Sequence, residues 1–167
     1  SILSKINFPK EALLMSGIYK LGFNLGLKLL MIAVFLVIYG VMPGIQILYF
    51  PLILISIMCL SISIGLLVTP LGLIYTDIAK IITTAVPFLM YFTPVVYAVP
   101  KQGFFKTLFE LNPLTFLFND ARNTLVGIGA ENLIFALVIF IISCIILLTG
   151  LVIFRKAMPI INEKLGA

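Results

Sequence analysis

The stretch Leu29–Thr76, LLMIAVFLVIYGVMPGIQILYFPLILISIMCLSISIGLLVTPLGLIYT, lies between Lys28 and Asp77 and carries no formal charge over its 48 residues. The strong break inside it is Pro43-Gly44. About 20 apolar residues, each rising roughly 1.5 Å, cross a hydrocarbon layer of about 30 Å. The stretch therefore reads as two helices joined by a tight turn, with lipid as their solvent.

The whole chain follows suit. It is 62% hydrophobic and 10% charged, with mean hydropathy +1.27, against about 25% charged residues in a soluble domain. No alternating strands are visible. Backbone in lipid must satisfy its own hydrogen bonds, which leaves helices. The net charge of +5 reads as topology, because Lys and Arg gather on the cytoplasmic side. The basic residues are dispersed, so a nucleic-acid role is excluded. Cys59 and Cys144 lie in apolar runs and read as small hydrophobes, with no disulfide framework. The start at Ser1 has no charged segment leading into a short apolar run and cleavage site, so no signal peptide is expected.

Four spans are predicted, near Leu21–Met42, Gln46–Val68, Ala79–Val99 (broken by Pro87 and Pro94) and Asn132–Phe154. An even count puts both termini on one side. Lys5, Lys10, Lys20, Lys28, Lys80, Arg155, Lys156 and Lys164 then share that face, and Lys101, Lys106 and Arg122 take the other. The asymmetry assigns both ends to the cytoplasm. Tyr39, Tyr49 and Phe50 at the outer ends, with Tyr19, Tyr75 and Phe154 at the inner ends, form an aromatic belt. No acidic or basic residue is expected in the middle of a span, which disfavours proton-coupled carriage.

Residues 100–131 are too polar to span and too apolar for a plain loop. Phe104, Phe105, Leu108 and Phe109 recur at helical spacing. So do Leu114, Leu117, Phe118, Ala121 and Leu125. Asn112-Pro113 divides the sets, with Asn as N-cap and Pro at the first helical position. Two short amphipathic helices at the outer interface, lying on it or re-entering it, are expected.

The order of these pieces is similar to a known family. SILSKINFPKEALLM (Ser1–Met15) precedes two spans. Tyr75-Thr76-Asp77 forms a turn, TPVVYAVP (Thr93–Pro100) ends a Pro-broken span, and LNPLTFLFNDARNTLVG (Leu111–Gly127) leads to a last span closed by Arg155-Lys156. Together they resemble the ABC-2 type permeases, in the branch exporting polysaccharides such as O-antigen, teichoic acid and capsule. Family members have six spans and an amphipathic N-terminal helix, so the chain resembles the C-terminal two-thirds of a permease. The family usually has an Arg between the aromatic and the Asp of the turn; here Thr76 stands there.

The resemblance implies an all-α integral membrane protein of one transmembrane domain. It comprises a cytoplasmic coupling segment (1–20), three spans (21–99), outer gate helices (100–131), a last span (132–154) and a cytoplasmic tail (155–167). It also implies a bacterial plasma-membrane exporter of lipid-linked glycan. Two permease copies would work with two ATPase subunits, which hold the ATP and Mg; this chain itself would hold no cofactor. An exporter of lipids or drugs in the same superfamily is the alternative.

Ser1–Met15, with its Phe8-Pro9 pair, would dock into the ATPase, with Ile2, Leu3, Ile6 and Phe8 as anchors and Lys5 and Lys10 at the polar rim. A basic segment lying on anionic lipid needs the same residues. Tyr75, Asp77 and Lys80 mark a second cytoplasmic turn, either a solvated helix end or a further ATPase contact. Phe88, Tyr91, Phe92 and Tyr97 cluster around the Pro-broken span. Aromatic faces stack on sugar C–H faces, so these rings either line a glycan path or pack as core. The outer gate would use Phe104, Phe105, Asn112, Pro113 and Arg122; an interfacial cap is the plain alternative. Arg122 is expected to pair across the dimer or with Glu110 or Glu131. Gly22-x-x-x-Gly26 permits close helix approach, and Ser56, Ser61, Ser63 and Gly65 are expected to serve packing. No phosphate-binding Gly-rich loop, histidine or metal-spaced cluster occurs, so a membrane hydrolase is disfavoured.

Overall fold

The computed structural model describes residues 10–95, 97, 107, 109 and 111–166. The ordered elements are helices: α1 (Lys10–Ile38), a 3-10 turn (Ile45–Tyr49), α2 (Phe50–Ile74), α3 (Thr76–Phe92), α4 (Pro113–Val126) and α5 (Leu133–Gly166). Among the described residues, three segments are long and apolar enough to cross a membrane: Met15–Ile38, Ile45–Ile74 and Leu133–Pro159. With 17 residues, α3 is shorter than these. The chain divides into two compact units, residues 1–42 with 162–167 and residues 43–161.

In the first unit, α1 is a 29-residue helix. It stops four residues earlier than the expected Met42, because Gly40 takes a left-handed φ of 65°. There the Val41 N–H reaches the Leu36 carbonyl at 3.0 Å and the Gly40 N–H reaches Val37 at 3.1 Å. That pair of bonds closes the last turn and needs a residue without a Cβ penalty. The stop places Lys28 ten residues from the helix end, well inside the apolar segment Met15–Ile38.

In the second unit, α2 and α5 lie side by side and run in the same direction. Ser56 Oγ donates to the Ala136 carbonyl at 3.1 Å and Ser63 Oγ to the Ser143 carbonyl at 2.7 Å. Both partners advance by seven residues, the step that keeps one helix face on a neighbour. Seven residues beyond Ser143, a Cβ on Gly150 would meet Leu66 Cδ2 at 3.3 Å. Small residues at this seam let the backbones approach, as association in lipid requires. Ser56 and Ser63 thus do the packing expected of them. Ser61 bonds within its own helix, to Ile57, and Gly65 faces open space. Cys59 and Cys144 meet across the same seam with sulfurs 3.8 Å apart.

The core of the unit gathers Ile53, Leu117, Ala136 and Ile139 from α2, α4 and α5. Leu114 and Ala121 of α4 pack against it, as the amphipathic pattern requires. Pro51 in the first turn of α2 and Pro113 in the first turn of α4 occupy positions whose N–H has no intrahelical partner anyway. The last helix extends twelve residues beyond the expected Phe154, to Gly166. Arg155, Lys156, Glu163 and Lys164 are good helix formers, so polarity marks the end of the apolar run but not of the helix.

Candidate functional site

The described residues converge where α3 stops. Thr93 precedes Pro94, and the ring of a proline disfavours helical geometry in the residue before it. Thr93 accordingly turns extended, at φ −116° and ψ 126°. α3 therefore ends at Phe92, and Val99, where the expected span closes, lies outside the described residues. Thr93 is 2% exposed and Pro94 is fully buried. Irregular backbone at this depth needs partners, and α4 supplies them.

Asn112 is the first. Its side chain accepts the Leu114 N–H at 3.0 Å, capping α4 as the Asn-Pro pair predicts. The other end of the same amide donates to the Phe92 carbonyl at 3.1 Å and to Thr93 Oγ1 at 3.0 Å. One residue thus starts α4 and ties it to the end of α3. Arg122, nearly three turns further on, donates to the Val95 carbonyl at 2.7 Å and to the Pro94 carbonyl at 3.2 Å. These are main-chain oxygens that the broken helix leaves without intrahelical donors, in place of the expected Glu131; Glu110 lies outside the described residues.

Asp120 completes the arrangement and was not singled out from sequence. It is 2% exposed. Its two carboxylate oxygens accept the Glu131 N–H at 3.1 Å and the Asn132 N–H at 2.9 Å, just before α5. A negative group at a helix N-terminus satisfies free donors and meets the positive end of the dipole. The available signal was an acid on the core-facing side of an amphipathic helix, which is rarely buried without a partner. Through Asn112, Arg122 and Asp120, α4 holds the end of α3 and the beginning of α5.

The predicted path residues lie at the same end. Phe88, Tyr91 and Phe92 are 57%, 65% and 59% exposed, so they face outward from the unit and do not form its core. Phe88 and Tyr91 have ring centroids 6.5 Å apart. The Tyr97 hydroxyl donates to the Tyr91 carbonyl, and its ring meets Phe109 edge-on at 5.7 Å. Three of the four predicted aromatics are thereby linked.

At the far end of α3, Tyr75 separates α2 from α3 in extended geometry. Asp77 and Lys80 pair at 3.7 Å with both side chains largely exposed, the geometry of a solvated pair worth about 0–1 kcal/mol. Ile2, Leu3, Lys5, Ile6, Phe8 and Pro9 lie outside the described residues, as do Phe104 and Phe105. On α3 the aromatics Phe88, Tyr91 and Phe92 follow Pro87, and the Asp77–Lys80 pair lies in the opening turns of the same helix.

Residues 6–126 match the family described as ABC-2 type transporter. The chain is also similar to the O-antigen export system permease protein RfbA of Klebsiella pneumoniae, 25% identical over 159 residues. That alignment covers 93% of this chain and 60% of the relative, so the chain spans less than two-thirds of the relative's length. No solved structure matches. With its family match running from the segment before α1 to the last residue of α4, the chain belongs to the ABC-2 type transporter family.

Proposed function

We propose that the chain is the greater part of a permease subunit in an ATP-driven exporter that moves lipid-linked polysaccharide outward across the bacterial plasma membrane. The carrying observation is the arrested end of α3, where outward-facing aromatics adjoin a backbone break held by Asn112 and Arg122. Exposed rings suit a sliding polymer, which is better served by many weak stacking contacts than by one tight site. The similarity to a protein named as an O-antigen export permease supports glycan as cargo.

The fourth crossing is α3. Since α2 and α5 run parallel, the chain must return between them, and α3 makes that return over about 26 Å. It leaves from Tyr75 and ends at Asn112, beside the start of α4, while Leu117 of α4 packs with Ile53 near the start of α2. Four crossings leave both termini in the cytoplasm. Ser1–Met15 then docks on the ATPase, whose nucleotide states contact it differently and so shift the permease. Two permease copies and two ATPases complete the assembly, with α4 part of an outer gate.

The test uses the full permease containing this chain, produced with its ATPase in a bacterium lacking its own O-antigen permease. Surface glycan should be restored. Tyr91→Ala with Phe92→Ala should slow its appearance several-fold while basal ATP hydrolysis holds. Normal export by that variant would return the rings to a packing role. Assembly and hydrolysis without surface glycan would sink glycan as the cargo.

A further inference from the structure

Cys59 of α2 and Cys144 of α5 are both free thiols, with sulfurs 3.8 Å apart. The backbones on either side of them are held. Ser56 Oγ bonds the Ala136 carbonyl before the pair, and Ser63 Oγ bonds the carbonyl of Ser143, the chain neighbour of Cys144. A disulfide sets its sulfurs about 2.05 Å apart, so each would move by about 0.9 Å. That is a turn of about 30° around each Cα–Cβ bond, a deviation side chains bear at modest cost with the helices left in place. Ser56, Ser63 and Ser143 are fully buried in the seam, whereas both cysteines are half-buried and keep part of their surface open.

The surroundings select the reagent that reaches them. Cys59 sits near the midpoint of the apolar segment Ile45–Ile74, which extended backbone at Gly44 and Tyr75 bounds at either end. Polar or charged oxidants such as glutathione disulfide are kept out of apolar surroundings; a small uncharged one is not. We propose that Cys59 and Cys144 form an oxidant-trapping pair that closes to a disulfide on reaction with a small neutral chloramine. The first thiol takes the chlorine: an S–Cl bond forms, the N–Cl bond breaks, and ammonia leaves with the thiol proton. The second sulfur, already in contact, displaces chloride: the S–S bond forms, the S–Cl bond breaks, and HCl leaves. The two thiols lose two electrons, and the chlorine gains them as chloride. An isolated cysteine goes on to sulfinic acid, which is irreversible; the neighbour stops the oxidation at a reducible bond. The proposal rests on the α2–α5 seam and not on the cargo assigned above.

The test uses the full permease with its ATPase in liposomes, treated with a few equivalents of monochloramine per thiol. Remaining thiols are then blocked and the peptides mapped by mass spectrometry. A peptide linking Cys59 to Cys144 should be the main cysteine product, and dithiothreitol should reverse it. Unfolding the protein in dodecyl sulfate before treatment should lower its yield at least about ten-fold. In Cys59→Ser, Cys144 should appear instead as sulfinic or sulfonic acid; should that variant fail to insert, Cys144→Ser makes the mirror test on Cys59. The pair is overturned by the absence of the linked peptide from folded wild type, or by equal yield from unfolded protein. It is equally overturned by wild-type cysteines that reach sulfinic acid as readily as in the single variants, or by a bond from either cysteine to another chain.

Discussion

Asp120 holds the backbone N–H of Asn132 at 2.9 Å, which joins the middle of α4 to the start of α5 across a left-handed Gly127 and Gly129. The same carboxylate takes the Glu131 N–H. Hydrogen bonds to a charged acceptor contribute about 1.5–3 kcal/mol, and donors left buried cost a similar amount. Asp120→Ala should therefore destabilise the protein by about 2–4 kcal/mol, read as loss of the folded fraction in detergent titration. Asp120→Asn keeps one acceptor and should lose about half as much. If Asp120→Ala were as stable as wild type, the carboxylate would not be holding α5.

The seam between α2 and α5 makes a separate prediction. Ser63 Oγ serves two carbonyls, that of Cys59 on its own helix and that of Ser143 across the seam. Such bonds contribute little in lipid, about 0.6 kcal/mol on average, because the separated helices find other partners. Ser63→Ala should thus be nearly silent. Ser63→Leu should be severe, since Ser63 and Ser143 are both fully buried and leave no room for a branched four-carbon side chain. Proteolytic sensitivity of the reconstituted protein should rise sharply for Leu and little for Ala. Equal tolerance of both would place the seam elsewhere.

Sequence reading reached the elements whose cause is local. The uncharged run predicts α2, and Asn112-Pro113 predicts the start of α4 to the residue. It failed where the cause is distant or hidden in uniform apolarity. Within Leu29–Thr76, hydrophobicity gives no reason to stop at Gly40 in place of Pro43; the left-handed cap does. Asp120 has partners eleven and twelve residues away, both backbone N–H groups that no side-chain pattern announces. Charge pairing offered Glu131 to Arg122, whereas the free carbonyls that Arg122 meets at a helix break leave no mark in the sequence.

The two roles of Asn112 can be separated by one atom. Asn112→Asp keeps the oxygen that caps Leu114 and removes the donor to Phe92 and Thr93. Asn112→Ala removes both, costing about 1–2 kcal/mol for the cap alone. Amide hydrogen exchange should therefore show Leu114 still protected in Asn112→Asp, with faster exchange at Thr93 and Val95, and both regions exposed in Asn112→Ala. Arg122→Ala should speed exchange at Val95 while leaving Leu114 unchanged, because its guanidinium touches only the broken end of α3. A lysine there has one compact charge in place of a fork and should restore part of the protection. If exchange at Val95 were the same in all four proteins, α4 would not be restraining the end of α3 and would be a passive cover.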